Sequence, residues 1–480
     1  MKYEKENLNI CIENAKQCLI SRQQKIVMNN NTYLTWPLFF YDNADQSFDV
    51  DVCTSALGVI TLSKFDLDNY DSIKSSVNRS INTLISIRNE NGSWPSNISL
   101  ISKEELFMEG VISDTCFALG ALLNVGFLSN NPKIDSFTNL KTGERLDNLD
   151  DRIEYVYESV KWLLSNRVNQ NQGWQYTGIG YLENTEDKDA LPAYTTPTAN
   201  ALIILSQIIE VVKELSPNHP MVNEINNAIY ISVGWFCDIQ SNHNGDYGFG
   251  IKRGERSRIG NTSRVIFALC VTPDTNRHDI IEKSLYKAIR WIIKEYKPNK
   301  LQFSDVGEDF DQLIIEKESG IVKNAYRRSI YHETFVEAHL IDSLRLYYHS
   351  KYNKKNNYVL RIKIYNTISK ALDYLINHQS HTGLNDGAVS SRRTTANEKY
   401  TMYSTSNFIC TLMDLCDDDT LLSKVKHCTI RNVLLFGGSL FFIISSIIIA
   451  ILFESLNFWV TVPIGIVFSV IANFLSEKLL

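Results

Sequence analysis

The 480-residue chain has no Cys-x-x-Cys pair, no phosphate-binding glycine loop and no excess of positive charge, and each absence removes a class of function. Its nine cysteines are odd in number and scattered, several inside apolar stretches (Cys53, Cys116, Cys270, Cys410). That usage reads as buried thiols in a reducing compartment, not as a disulfide frame or a zinc ribbon. A net charge of −6 argues against nucleic acid as the main partner. Neither a Gly-x-Gly-x-x-Gly fingerprint nor a Gly-x-Ser-x-Gly elbow nor a His-Glu-x-x-His pair occurs, so dinucleotide, serine-hydrolase and zinc-protease chemistry lose their usual signatures. The N-terminal stretch is polar and charged, so no secretory signal is expected there.

What the chain does have is a repeat. Six amphipathic helices are expected to open on a small hydroxyl residue, at Thr54, Thr115, Thr198, Thr262, Thr334 and Ser406. Before most of them lies an earlier helix that ends in a Gly/aromatic turn. Examples are Asn91-Gly-Ser-Trp94, Asn171-Gln-Gly-Trp174 and Asn244-Gly-Asp-Tyr-Gly-Phe-Gly250. Each unit is therefore helix, turn, loop, helix. Single helix pairs cannot bury their apolar faces alone, so the units must stack, and closing the stack into a ring removes two capping problems. The hydroxyl-led helices would line the inside, and those bearing Trp162, Trp235, Trp291 and Tyr374 the outside.

The C-terminus has a different character. Residues 433–453 form an uncharged run of 21 residues, and residues 458–475 a second of 18, with a Glu454-Ser-Leu-Asn457 turn between them. The first run is long enough to span a bilayer. Lys424, Lys426 and Arg431 precede the first run and Lys478 follows the second, which places both ends on the cytoplasmic side. The expected organisation is a toroid over residues 8–420, a basic linker over 421–432 and a two-helix transmembrane hairpin over 433–475. The fold class is then all-α, a six-repeat α/α toroid with a membrane hairpin. The Gly437-Gly438 and Ser445-Ser446 pairs would let helices approach closely, so a homo-oligomer through the hairpin is expected.

The Gln/Asn-Gly-Trp turns followed by Asp-Thr-Cys or Thr-Ala-Asn and Ala-Leu resemble the repeats of squalene cyclases, class II terpene cyclases and protein prenyltransferase β-subunits. The resemblance covers about residues 10–416 and implies a toroid of six inner and six outer helices. In class II cyclases an Asp-x-Asp-Asp motif protonates an alkene. Here Asp49-Val-Asp51-Val52 matches two of the three carboxyls, so the resemblance makes Asp51 the proton donor and Asp49 its partner. The residues themselves favour Asp51 as the cap of the first inner helix, and Asp114 before Thr115 has the same two readings, with capping again favoured. In the prenyltransferases an Asp, a Cys and a His hold zinc. His332 in Tyr331-His-Glu333-Thr334 resembles the histidine stretch, but Tyr400-Thr-Met-Tyr403-Ser404 lacks both the Asp and the Cys, so no metal is expected.

Charge is unevenly placed along the loops. Those before the first three inner helices are acidic, whereas Arg253, Arg256, Arg258, Arg328 and Arg393 precede the later ones. If the ring closes, these arginines could form an anion site at its mouth. Asp114, Thr198, Thr262, His332, Glu333 and Tyr403 are the expected cavity residues.

Two functions follow. In the first, the toroid recognises a ligand or protein in its cavity and couples this to the hairpin, a design known from bacterial defence proteins that join a sensor to a membrane effector. In the second, it is a terpene-cyclase-like enzyme that takes isoprenoid or lipid substrates from the membrane. Recognition is placed ahead of catalysis because both catalytic signatures are incomplete. Either way the partners are a lipid bilayer and an isoprenoid or anionic ligand, with no cofactor and no nucleic acid, at the cytoplasmic face of the inner membrane.

Overall fold

The structure is a computed structural model that describes residues 4–28, 30–37, 49–99, 110–176, 188–241, 245–273, 277–298, 308–318, 321–332, 335–353, 357–381, 383, 386–390 and 400–425. The hairpin expected over 433–475 lies outside them, as do Glu333, Thr334 and Arg393. Side chains are described for fewer residues, and those of Asp49, Arg328 and His332 are not among them.

Twelve α-helices among the described residues alternate between two layers. The inner ones are α2 (Val52–Leu62), α4 (Ile112–Asn124), α6 (Thr195–Leu215), α8 (Ile259–Val271), α10 (Phe335–His349) and α12 (Met402–Cys416). The outer ones are α1 (Lys5–Ser21), α3 (Asp71–Ile87), α5 (Leu149–Ser165), α7 (Pro220–Ile239), α9 (His278–Glu295) and α11 (Tyr358–Asn377). Each inner helix packs on the next, and α12 packs back on α2. The ring closes. The first outer helix covers the last inner one, since α1 packs on α12 and the Gln379 side-chain amide donates to the Cys11 carbonyl at 2.8 Å. The core lies between the layers and is apolar throughout, from Leu8 and Leu19 to Leu412 and Leu415. Helix α6 is long and apolar enough by length and composition to cross a membrane, but it is mostly buried as an inner helix of this ring.

One hydrogen-bonding device recurs in the units. The threonine at the start of an inner helix accepts from the backbone N–H of the residue that follows the turn. The pairs are Trp94 to Thr115 (3.0 Å), Trp174 to Thr198 (3.0 Å), Phe249 to Thr262 (2.9 Å) and Val389 to Thr405 (3.0 Å). In the first unit the sense is reversed, and Thr54 donates to the Trp36 carbonyl at 2.6 Å. Trp36, Trp94 and Trp174 are fully buried, and each indole N–H donates to a carbonyl of the preceding outer helix, Leu19, Leu84 and Leu163. A Cβ on Gly173 or Gly248 would come within 2.6 or 2.7 Å of the stapling hydroxyl, which is why the turn carries glycine there. The sixth staple is Thr405 and not Ser406, one residue from expectation. Both are fully buried, but only Thr405 stands in the register of the others.

The fold departs from all-α in its loops. Among the described residues there are four antiparallel strand pairs: β1 (Gln24–Met28) with β2 (Asn31–Thr35), β3 (Asp49–Asp51) with β4 (Asn97–Ser99), β5 (Arg167–Val168) with β6 (Gly173–Trp174), and the long β7 (Glu308–Glu318) with β8 (Ile321–His332). Arg328 and His332 therefore lie in β8, in register with Gln312 and Glu308, and not at an inner-helix start.

Candidate functional site in the ring interior

Polar side chains gather where the N-terminal halves of the inner helices converge. Asp51 is the N-cap of α2, and one carboxylate oxygen accepts from the Thr54 N–H and hydroxyl, both at 2.8 Å. Asp114, in the first turn of α4, accepts from the backbone N–H of Cys53 and so caps α2 from the neighbouring helix. Burial pushes both carboxyls above their ordinary range, Asp114 far above it, where the nearby Asp51 charge adds to the effect. The hydrogen bonds from Thr54 and Cys53 act in the opposite sense and are outweighed.

Arg264 is the cation of this centre. Its guanidinium donates to His339 Nδ1 (3.5 Å) and to the Tyr403 hydroxyl (3.4 Å), and lies 6.0 Å from the centre of the Phe117 ring. Phe117 and His339 each meet Tyr403 edge to face. Burial first and Arg264 second hold the His339 imidazole well below its usual pKa, so it is neutral and accepts at Nδ1. Cys53 and Cys116 are held as thiols by burial. Around this centre, Asn200 donates to Ser113 (3.3 Å) and Asn261 to Thr196 (3.1 Å), which ties α4, α6 and α8 into one belt.

All six inner helices thus contribute: Cys53, Asp114, Asn200, Arg264, His339 and Tyr403. Among the described residues Arg264 makes no ion pair, and its buried Nε has no hydrogen-bond acceptor. Asn261 Oδ1 is likewise buried without a donor. Buried polar atoms are normally satisfied, so these two are open places for a ligand. No group of three or more His, Cys, Asp or Glu among the described residues could hold a metal ion.

The residues expected from sequence divide sharply. Asp51, Asp114 and Tyr403 belong to the centre. Thr198 and Thr262 are fully buried and hold the turns, so they do not face a cavity. Arg253 and Arg256 are exposed, and Arg258 directly precedes α8. Arg256 lines a cavity of about 220 Å³ with Asp246, Glu295 and Trp291, where two carboxylates face one guanidinium. That balance does not suit an anion. The sequence reading missed Cys53, Asn200, Asn261, Arg264 and His339. A signal existed, because Phe117, Asn200, Arg264 and Asn407 each stand two residues beyond a stapling threonine.

No protein-family model matches the chain, and no curated protein sequence matches it either. Solved structures do. The cellobiose 2-epimerase of Bacillus thermoamylovorans B4167 is similar at a TM-score of 0.55 and 10% identity, over 86% of this chain and 100% of that one. The cellobiose 2-epimerase of Spirochaeta thermophila DSM 6192 gives 0.55 and 11%, over 86% and 96%. A family 76 glycoside hydrolase from a bovine Bacteroides thetaiotaomicron strain gives 0.51 and 8%, over 85% and 77%. The fold is an α/α toroid. At such low identity the likeness extends to the fold alone.

Proposed function

We propose that the toroid is a recognition module whose ring interior binds one small polar ligand, and that a membrane hairpin over residues 433–475 responds to its occupancy. The observation that carries this reading is Arg264, a half-buried cation with a buried Nε and no carboxylate partner among the described residues, in a centre supplied by every inner helix. Such a centre favours a ligand with one anionic or strongly polarised oxygen, surrounded by hydroxyl or amide groups that the belt of asparagines can meet. The structural neighbours include sugar epimerases and a glycoside hydrolase, which supports a polyhydroxylated ligand over an isoprenoid chain. Recognition is favoured over turnover because Asp51 and Asp114 cap α2 with the carboxyls that a catalyst would need to present. The hairpin would hold the ring at the cytoplasmic face and associate with other copies through its glycine and serine pairs.

A second reading rests on the same two carboxyls. Asp114, pushed well above the ordinary carboxyl range by burial and by Asp51, is an acid that could protonate an alkene in the manner of the class II cyclases, with Asp51 as its partner. Native mass spectrometry of the full chain in mild detergent, with extraction of whatever co-purifies, tests the first reading. A bound small polar molecule that is lost in Arg264→Met supports it. Turnover of polyprenyl substrates that is lost in Asp114→Asn would replace it with the second.

A further inference from the structure

The chain is acidic overall, yet among the described residues the charged side chains that line one groove on its outer face are all cations. It runs between α9 and α11, with a volume of about 980 Å³. Along α9 the residues Lys287, Arg290 and Lys294 follow helical spacing, and along α11 Lys363 and Lys370 do the same. No carboxylate among the described residues lines this groove. Lys294 pairs with Glu295 at 3.2 Å. The exposed Lys287, Arg290, Lys363 and Lys370 make no ion pair among the described residues. Two of them lie over aromatic rings, Lys287 over Tyr247 and Arg290 over Tyr286, which fixes the position of the charges without neutralising them.

The cationic stretch is short and bounded. Lys287 to Lys294 spans about 10 Å of helix at 1.5 Å per residue. At one end of α9 stand Asp279 and Glu282, at the other Glu295, and Asp373 follows Lys370 on α11. A long polyanion would meet these carboxylates at both ends, whereas a compact one would meet only cations. The geometry points to this groove as a binding site for a small molecule that bears a chain of adjacent phosphates, separate from the ring interior. The faces of Tyr286 and Tyr247 not covered by Arg290 and Lys287 are where a flat ring attached to that chain would stack. Arg256, expected in an anion site, faces two carboxylates in the neighbouring cavity, whereas here only Lys294 has a carboxylate partner among the described residues.

Isothermal titration calorimetry on the full chain in neutral detergent tests the site, with inorganic tripolyphosphate, a magnesium-free nucleoside triphosphate and a 30-nucleotide single strand as probes. Saturable one-to-one binding of the two phosphate chains is expected, weakening steeply with salt. The exposed double reversal Lys287→Glu/Lys363→Glu should weaken it at least tenfold, with an unchanged thermal midpoint. Lys161→Glu on α5 and Arg264→Met in the ring should leave it as it was. A nucleotide that binds more tightly than tripolyphosphate would support stacking on the tyrosines, and equal binding would support a site for the phosphate chain alone. Absence of saturable binding, indifference to the double reversal, or a strand that binds tenfold tighter than tripolyphosphate would each overturn the assignment.

Discussion

The two ends of the inner ring handle charge in opposite ways. Near the helix N-termini, Arg264 has no carboxylate, His339 is neutral, and Asp51 and Asp114 face each other across a helix start. Near the C-termini, where α12 closes on α2, cations and carboxylates answer one another. Asp414 pairs with Lys64 from α2's end and with Arg345 of α10 at 2.9 Å, while the Thr411 hydroxyl donates to Asp342 at 2.9 Å. Paired charges rigidify a fold, and a cation left without a carboxylate is ready for something else. The floor reads as closure and the upper centre as a ligand site.

Breaking the floor should have the largest effect. Asp414→Ala leaves Lys64 and Arg345 without their shared carboxylate, and a loss of about 3 kcal/mol is expected in urea unfolding, since removing one member of an inset pair strands the other. An effect below about 0.5 kcal/mol would reduce the floor to an ordinary surface ion pair. Next come the staples that hold both ends in place. Thr198→Val leaves the fully buried Trp174 N–H without its acceptor and should cost about 1–3 kcal/mol in the same measurement. Gly173→Ala drives a Cβ against that hydroxyl and should cost about as much through overpacking.

A smaller, pH-dependent effect sharpens the contrast. Burial first and the neighbouring Asp414 second push Asp342 up to about 7, against the pull of Arg345, Thr411 and Lys64. Its folded pKa is above its ordinary value of 3.8, so its contribution to stability is fully present below that value. It is lost as pH rises through about 7. Thermal melts of wild type and Asp342→Asn should therefore diverge between pH 5 and pH 8, with the variant gaining relative to wild type at the alkaline end. Parallel curves would show that Asp342 titrates as an ordinary carboxylate. The smallest change is expected from Tyr403→Phe, which removes one long hydrogen bond from Arg264 and should shift the melting midpoint by about 1 °C or less while weakening ligand capture.

Much of the ring was legible because its helices carry period-3.6 patterns and its turns repeat a Gly/aromatic signature. The β7–β8 pair was not read, although Ser319-Gly320 between two runs rich in Ile and Val is a hairpin signal. Sequence alone does not separate Ser406 from Thr405, because adjacent hydroxyls look alike until the register of the staples is known. The centre was harder. Asp51, Asp114 and Tyr403 were singled out through motifs, whereas Arg264 and His339 belong to no motif. They meet because α8 and α10 are neighbours in a closed ring, and no spacing along one chain states which side chains face each other across it.

The difference between the two ends can be measured directly in protein freed of ligand by unfolding and refolding. Urea unfolding of Arg264→Met and Arg345→Met would be compared with wild type. A binding centre gives up stability for an open charge, so Arg264→Met should be neutral or stabilising. Arg345→Met should destabilise by about 2 kcal/mol or more, because it takes from Asp414 one of its two paired cations. The reverse order would contradict the account, since it would make the upper centre a structural tie and leave the ring interior without an evident ligand site.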